Sequence, residues 1–147
     1  MRKFLLIAAA AGLGTAAIAA PNMVAVQKQR HEGYEQLGRA MRQAKQAIDQ
    51  GNTAAVRGAA NQIAGLSAKA PGWFPAGSGP EAGKTHAKAE IWTNRADFDA
   101  KMRNFGAAAK AFQAAAAGGD LNAIKAAHGK LGQTCGACHN SYRLKDD

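Results

Sequence analysis

Cys135 and Cys138 are the only two cysteines in this chain of 147 residues, and His139 follows the second directly. Cys-x-x-Cys-His is the spacing at which a polypeptide is joined covalently to haem. Helix geometry supplies the reason: positions i, i+3 and i+4 share one face. Two sulfurs can add to the two vinyl groups of a porphyrin while the imidazole reaches the iron from the same side. Gly136 and Ala137, between the cysteines, are small enough to leave room for the porphyrin edge. Other uses of the motif stand beside this one. A dithiol redox pair normally opens a helix in an α/β setting, and no strand pattern is visible here. A structural zinc site needs four ligands, whereas the motif supplies three with no second cluster near it in sequence. Chance also produces such a pentapeptide. An export segment, the absence of other cysteines and a helical pattern throughout favour one covalently bound haem c, with His139 as its iron ligand.

The export segment is the first 19 residues. Met1-Arg2-Lys3 is a short basic start, 4–19 is an apolar run broken by Gly12 and Gly14, and Ala17-Ile18-Ala19 is the small-x-small pattern that a signal peptidase reads. Cutting after Ala20 would put Pro21 next to the scissile bond, so the expected cut follows Ala19. An uncleaved anchor is the alternative, and the run is short for a span. Export implies a periplasmic location with no stable membrane association once the signal is gone. The remaining 20–147 is the right length for one domain with its own core. Loss of the two cations Arg2 and Lys3 lowers the formal charge from +9 to +7. Lysines and arginines are scattered around the helices, and an exported protein rarely meets nucleic acid, so no nucleic-acid partner is expected.

Four helices must position the motif. Glycine, proline and asparagine divide the chain into helical stretches at 23–50, 53–70, 94–117 and 121–144, the last with a possible kink at Gly129 or Gly132. The stretch 71–88 has no helical period and forms one long connection. The apolar stripes run at alternating steps of three and four: Tyr34, Leu37, Met41, Ala44, Ile48; then Val56, Ala59, Ile63, Leu66, Ala70. The third reads Phe98, Met102, Phe105, Ala109, Phe112, Ala116, and the fourth Leu121, Ile124, His128, Leu131, Cys135, Cys138, Tyr142. Such seams pack at shallow angles. Two short junctions and one long one predict an all-α, antiparallel four-helix bundle with a single crossover between the second and third helices.

The pattern resembles cytochrome c′ and its low-spin relatives, the class II c-type cytochromes, over essentially the whole mature chain. The pieces that carry the likeness are Arg30, Ala89-Glu90-Ile91-Trp92, Gly119-Asp120-Leu121 and the run from Cys135 to Arg143. The resemblance implies a four-helix bundle with the haem motif near the C-terminus and a homodimer through the first two helices. It also implies that the first helix faces the sixth iron position, four residues after an arginine. Here that residue is Tyr34. Low-spin members are expected to carry methionine there, and pentacoordinate members a bulky residue that does not ligate. By the same resemblance His31, Glu90 and backbone around Ala89 line the haem edge, and Arg143 flanks the ligand side. His31 departs from the glutamine often expected at its place.

Periodicity adds Arg30 to the site on its own account. It lies on the stripe of Tyr34 and Leu37, and a buried guanidinium needs an anionic partner, for which a haem propionate serves; the alternative is an arginine that snorkels to water. His128 lies three turns before His139, about 16 Å along the axis, which makes it a core aromatic. His86, in the long connection, is a remote candidate for a sixth ligand. Met41 and Met102 read as core, and Trp73, Phe74 and Trp92 as packing anchors of the crossover. The expected function is a mono-haem cytochrome, not an enzyme, that binds small diatomic gases such as nitric oxide. The alternative is a low-spin one-electron carrier between periplasmic redox partners, and the two differ in what happens at Tyr34.

Overall fold

The computed structural model describes residues 22–145, so the export segment and its cleavage point lie outside the described residues. Three of the four long helices begin where a side chain satisfies the first free amides. Asn22 accepts from the Val24 and Ala25 amides to open α1, Met23–Asp49. Asn52 accepts from the Ala55 amide to open α2, Thr53–Lys69, after a turn in which Gly51 takes φ 67°. A 3-10 turn, Ala70–Trp73, then starts the crossover. Asp120 accepts from the Asn122 amide to open α5, Leu121–Tyr142, just after Gly119 has closed the preceding helix at φ 80°.

Two boundaries differ from the sequence reading, and each has a local cause. A separate helical turn, α3, Glu90–Thr93, precedes α4, Arg95–Gly118, because Asn94 leaves helical geometry at φ −116° and ψ 51°. α5 ends at Tyr142, where Arg143 turns extended at φ −112° and ψ 135° and its backbone pairs antiparallel with Ala87. The Lys88 amide donates to the Tyr142 carbonyl at 3.0 Å and the Leu144 amide to the His86 carbonyl at 2.8 Å. α5 stays helical through Gly129 and Gly132.

α1 packs on α2, α2 on α4 and α4 on α5, while α1 and α5 meet least of these neighbours. The core follows the stripes. All six α4 positions are buried, as are Val56, Ala59, Ile63 and Ala70 from the second stripe, with Leu66 half-buried. In α1 the buried line is Gln27, Arg30, Gly33, Leu37, Ala40, Ala44, Ala47 and Ile48, so Tyr34 and Met41 sit at its edge, half-buried. His128 is a core aromatic, its ring 5.4 Å from that of Phe112 and its Nε2 3.4 Å from the Met41 carbonyl. Trp73 and Phe74 anchor the crossover in the core, with Trp92 partly buried beside them. Among the described residues no helix is long and apolar enough to cross a membrane.

Candidate haem site

α5 carries the two thiols on its inner side, each half-buried against the core, with Cys135 Sγ 3.5 Å from the Leu131 carbonyl. Burial pushes both thiols up from the ordinary cysteine range, although nearby Lys101 opposes the shift at Cys138. A redox dithiol needs the reverse, a thiolate stabilised near a helix start, so these cysteines are poorly suited to that chemistry. His139, one residue on, is held below the ordinary histidine range by desolvation and then by the Arg143 charge. Its imidazole is therefore neutral at physiological pH, the form that ligates a metal. Among the described residues no group of three or more His, Cys, Asp or Glu side chains is placed to hold a bare metal ion. The donors suit a prosthetic group that brings most of its own iron ligands.

Across the α1–α5 seam stands Tyr34. The thiols of Cys138 and Cys135 are close enough to act on its ionisation, and so is Arg30. Desolvation dominates, and it raises the phenol well above the ordinary tyrosine range, with the two thiols adding and Arg30 opposing. The residue as a whole is half-buried. Its ring meets Trp73 edge-on at 5.3 Å and Phe74 at 6.1 Å between centroids. The site thus has a neutral imidazole and two thiols on one helix, and a neutral, bulky phenol on the other. Beside Gly136 an added Cβ would meet nothing within 4 Å.

Arg30 is 4 % exposed and does not snorkel. Its partners are neutral: Nη1 donates to the Trp73 carbonyl and to Ser78 Oγ, both at 3.2 Å. Nη2 donates to the Ser78 carbonyl and to Thr85 Oγ1, both at 3.0 Å. The guanidinium also lies 4.9 Å from the Phe74 ring centroid and 5.8 Å from that of Trp92. Burial lowers its pKa, while Tyr34 and Glu81 act in the other direction. Among protein groups, the crossover supplies its hydrogen bonds and, with Trp92, its aromatic faces. Gln27, one turn before Arg30 on the same stripe, donates to the Gly79 carbonyl at 2.7 Å. The stripe spacing could have revealed Gln27, whereas Ser78 and Thr85 lie in aperiodic chain and gave no sequence signal.

The remaining candidates scatter around this centre. His31 is exposed and directed towards Glu35, Nε2 to Oε1 3.4 Å, on the outer side of α1. Ala89 caps α3 and Glu90 opens it, both exposed and just past the segment paired with the end of α5. Arg143 caps α5, close enough to His139 to shift its pKa. His86 is exposed, with its carbonyl bound to the Leu144 amide beyond the end of α5. Tyr142 ties the end of α5 to α4, its hydroxyl donating to Asp97 Oδ2 at 2.5 Å and its ring 5.4 Å from that of Phe98.

The family model described as cytochrome c′ matches residues 25–143. A curated cytochrome c′ from Allochromatium vinosum is 36% identical over 141 residues, 92% of each chain. Among solved structures, a cytochrome c′ described as having an unusual ligand-controlled dimer dissociation superposes with a TM-score of 0.79. It is 30% identical and covers 86% of this chain and 100% of its own. A nitric oxide complex of a variant cytochrome c′ from Alcaligenes xylosoxidans superposes with a TM-score of 0.77 at 26% identity, covering 84% of this chain and 97% of its own.

Proposed function

The chain belongs to the cytochrome c′ family, a family of c-type cytochromes with one covalently attached haem c, and on that premise we propose that it is a periplasmic gas-binding member. In this reading Cys135 and Cys138 would hold the haem through thioether bonds and His139 would ligate its iron. The haem iron supplies one coordination position for a small ligand and the capacity to carry one electron. The observation that carries the proposal is Tyr34: a neutral phenol faces the Cys135 and Cys138 thiols from α1, boxed by Trp73 and Phe74, and the family resemblance assigns the sixth-ligand side to this residue. A protonated phenol is a poor ligand for ferrous iron, so Tyr34 fills space without bonding. Its walls are aromatic, which admits small uncharged molecules such as nitric oxide or carbon monoxide and opposes ions. The nitric oxide complex of a related protein supports this choice of ligand. Tyrosinate can ligate ferric haem, so the proposal is made for the ferrous protein.

The same reading makes the protein a binding protein rather than an enzyme, and a homodimer through α1 and α2. A groove of about 400 Å³ between these helices, lined by Gln43, Gln46, Gln50 and Gln62 with small residues between them, gives a second copy a surface without large apolar side chains to displace. The relative with ligand-controlled dimer dissociation supports the association, and sedimentation of the holoprotein with and without carbon monoxide tests it. The gate itself is tested by stopped-flow carbon monoxide binding to ferrous protein. Tyr34→Ala should bind faster and more tightly than wild type because a steric cost has gone. Equal rates would remove Tyr34 from the ligand path, and an unreactive wild type would favour an electron carrier with a strong sixth ligand.

A further inference from the structure

Gly33 and Tyr34 are adjacent in α1, and the indole of Trp73 covers the first and walls the second. A Cβ at Gly33 would fall 2.5 Å from Trp73 Cη2, 2.6 Å from Cζ2 and 2.9 Å from Cζ3. Three atoms of one rigid ring therefore occupy the space that any other residue would need. The same ring meets Tyr34 edge-on, with 5.3 Å between centroids and planes 76° apart. Phe74, the next residue, takes a second edge of Tyr34 at 6.1 Å. Both rings are fixed from α1 as well: Arg30 Nη1 holds the Trp73 carbonyl and the guanidinium lies over Phe74. Arg30, Gly33 and Tyr34 are spaced i, i+3, i+4, so one helical face carries latch, seat and gate.

We propose that Gly33 is a positioning residue that sets how tightly the Tyr34 gate is held, by letting Trp73 lie flat on α1 against the Tyr34 ring. The inference rests on the gas-gate reading and adds the element that determines its stiffness. A ligand entering past Tyr34 requires that ring to turn, and it turns against Trp73 and Phe74. An indole cannot fold out of the way as a flexible side chain can, so a methyl at Gly33 moves the whole ring and the crossover backbone that carries it. Interiors close-packed in this way pass such displacements on to their neighbours.

The test is a double-mutant cycle on haem-loaded protein, with carbon monoxide association to the ferrous form and near-ultraviolet circular dichroism as readouts. Gly33→Ala should raise the association rate about fivefold, since a change on the order of 1 kcal/mol in the barrier does so. It should also alter the tryptophan bands in the ultraviolet region. In the Tyr34→Ala background the same substitution should leave the rate within about twofold, because the gate it acts through is gone. Trp73→Leu, which keeps Gly33 and removes the brace without crowding α1, should reproduce the gain and serves if Gly33→Ala does not fold. An altered tryptophan signal with an unchanged rate overturns the inference, as does an equal gain in both backgrounds. A Tyr34→Ala rate equal to wild type overturns the gate itself, which is a separate failure.

Discussion

The guanidinium of Arg30 carries its charge inside the bundle with four hydrogen bonds, all to neutral groups. Arg30→Leu removes the donor to the Trp73 carbonyl, while the Ser78 carbonyl keeps Gln27 Nε2 at 3.4 Å and Thr85 Oγ1 keeps the Ala87 amide at 3.2 Å. Leaving that buried acceptor unpaired costs about 1–3 kcal/mol, partly relieved by losing the buried charge, so denaturant unfolding should show a loss of roughly 1–2 kcal/mol. A loss below the error of the measurement would mean that the latch contributes nothing. Tyr142 offers a pH signature. Burial and then its bond to Asp97 push the phenol up to about 12. A group whose pKa is raised on folding stabilises the fold below its unfolded value and loses that contribution as pH rises through the folded one. Stability should therefore decline between about pH 10, the unperturbed tyrosine value, and about 12. Asp97→Asn should move the titration measured by ultraviolet absorbance downwards. Asp97 acts at the other end: hydrogen bonds from Lys101 and Tyr142 hold it below the usual carboxylate range, so its contribution is lost on acidification through that lowered value. At this scale Cys135, Cys138 and His139 could be read from the chain because a covalent linkage dictates residue types and spacing. The partners of Arg30 could not, because they come from a loop whose path no period encodes.

Periodicity carried the long elements. The α4 stripe from Phe98 to Ala116 is buried at all six positions, and helix starts at Asn22, Asn52 and Asp120 follow capping chemistry. What the pattern missed are contacts made by chain with no period: the split of α3 from α4 at Asn94, and the pairing of Ala87 with Arg143 that ties the crossover to the end of the haem-bearing helix. The Gly33–Trp73 contact was equally hidden, since a glycine in a helical stripe reads as a weak core position. The α4–α5 junction gives a test at this scale. Gly119 adopts φ 80°, with an added Cβ meeting nothing within 4 Å, so Gly119→Ala introduces backbone strain without a steric clash. The expected cost is about 1 kcal/mol, read as a lower unfolding midpoint with the haem spectrum unchanged. A shifted spectrum would mean that the junction also sets the position of the Cys135–His139 segment.

As a whole, the molecule is a bundle in which three helix pairs pack closely and the fourth seam, between α1 and α5, is the sparsest; the proposed function places the prosthetic group there. Its fold and cofactor follow from the family to which it belongs, and its role turns on the contents of that seam. The most direct measurement is the visible absorption spectrum of the dithionite-reduced holoprotein before and after carbon monoxide. With Tyr34 neutral and non-ligating, the reduced protein should show the broad bands of five-coordinate, high-spin haem and shift on adding the gas. Sharp, split low-spin bands that carbon monoxide leaves unchanged would contradict the account, because a strong ligand would then occupy the place assigned to Tyr34.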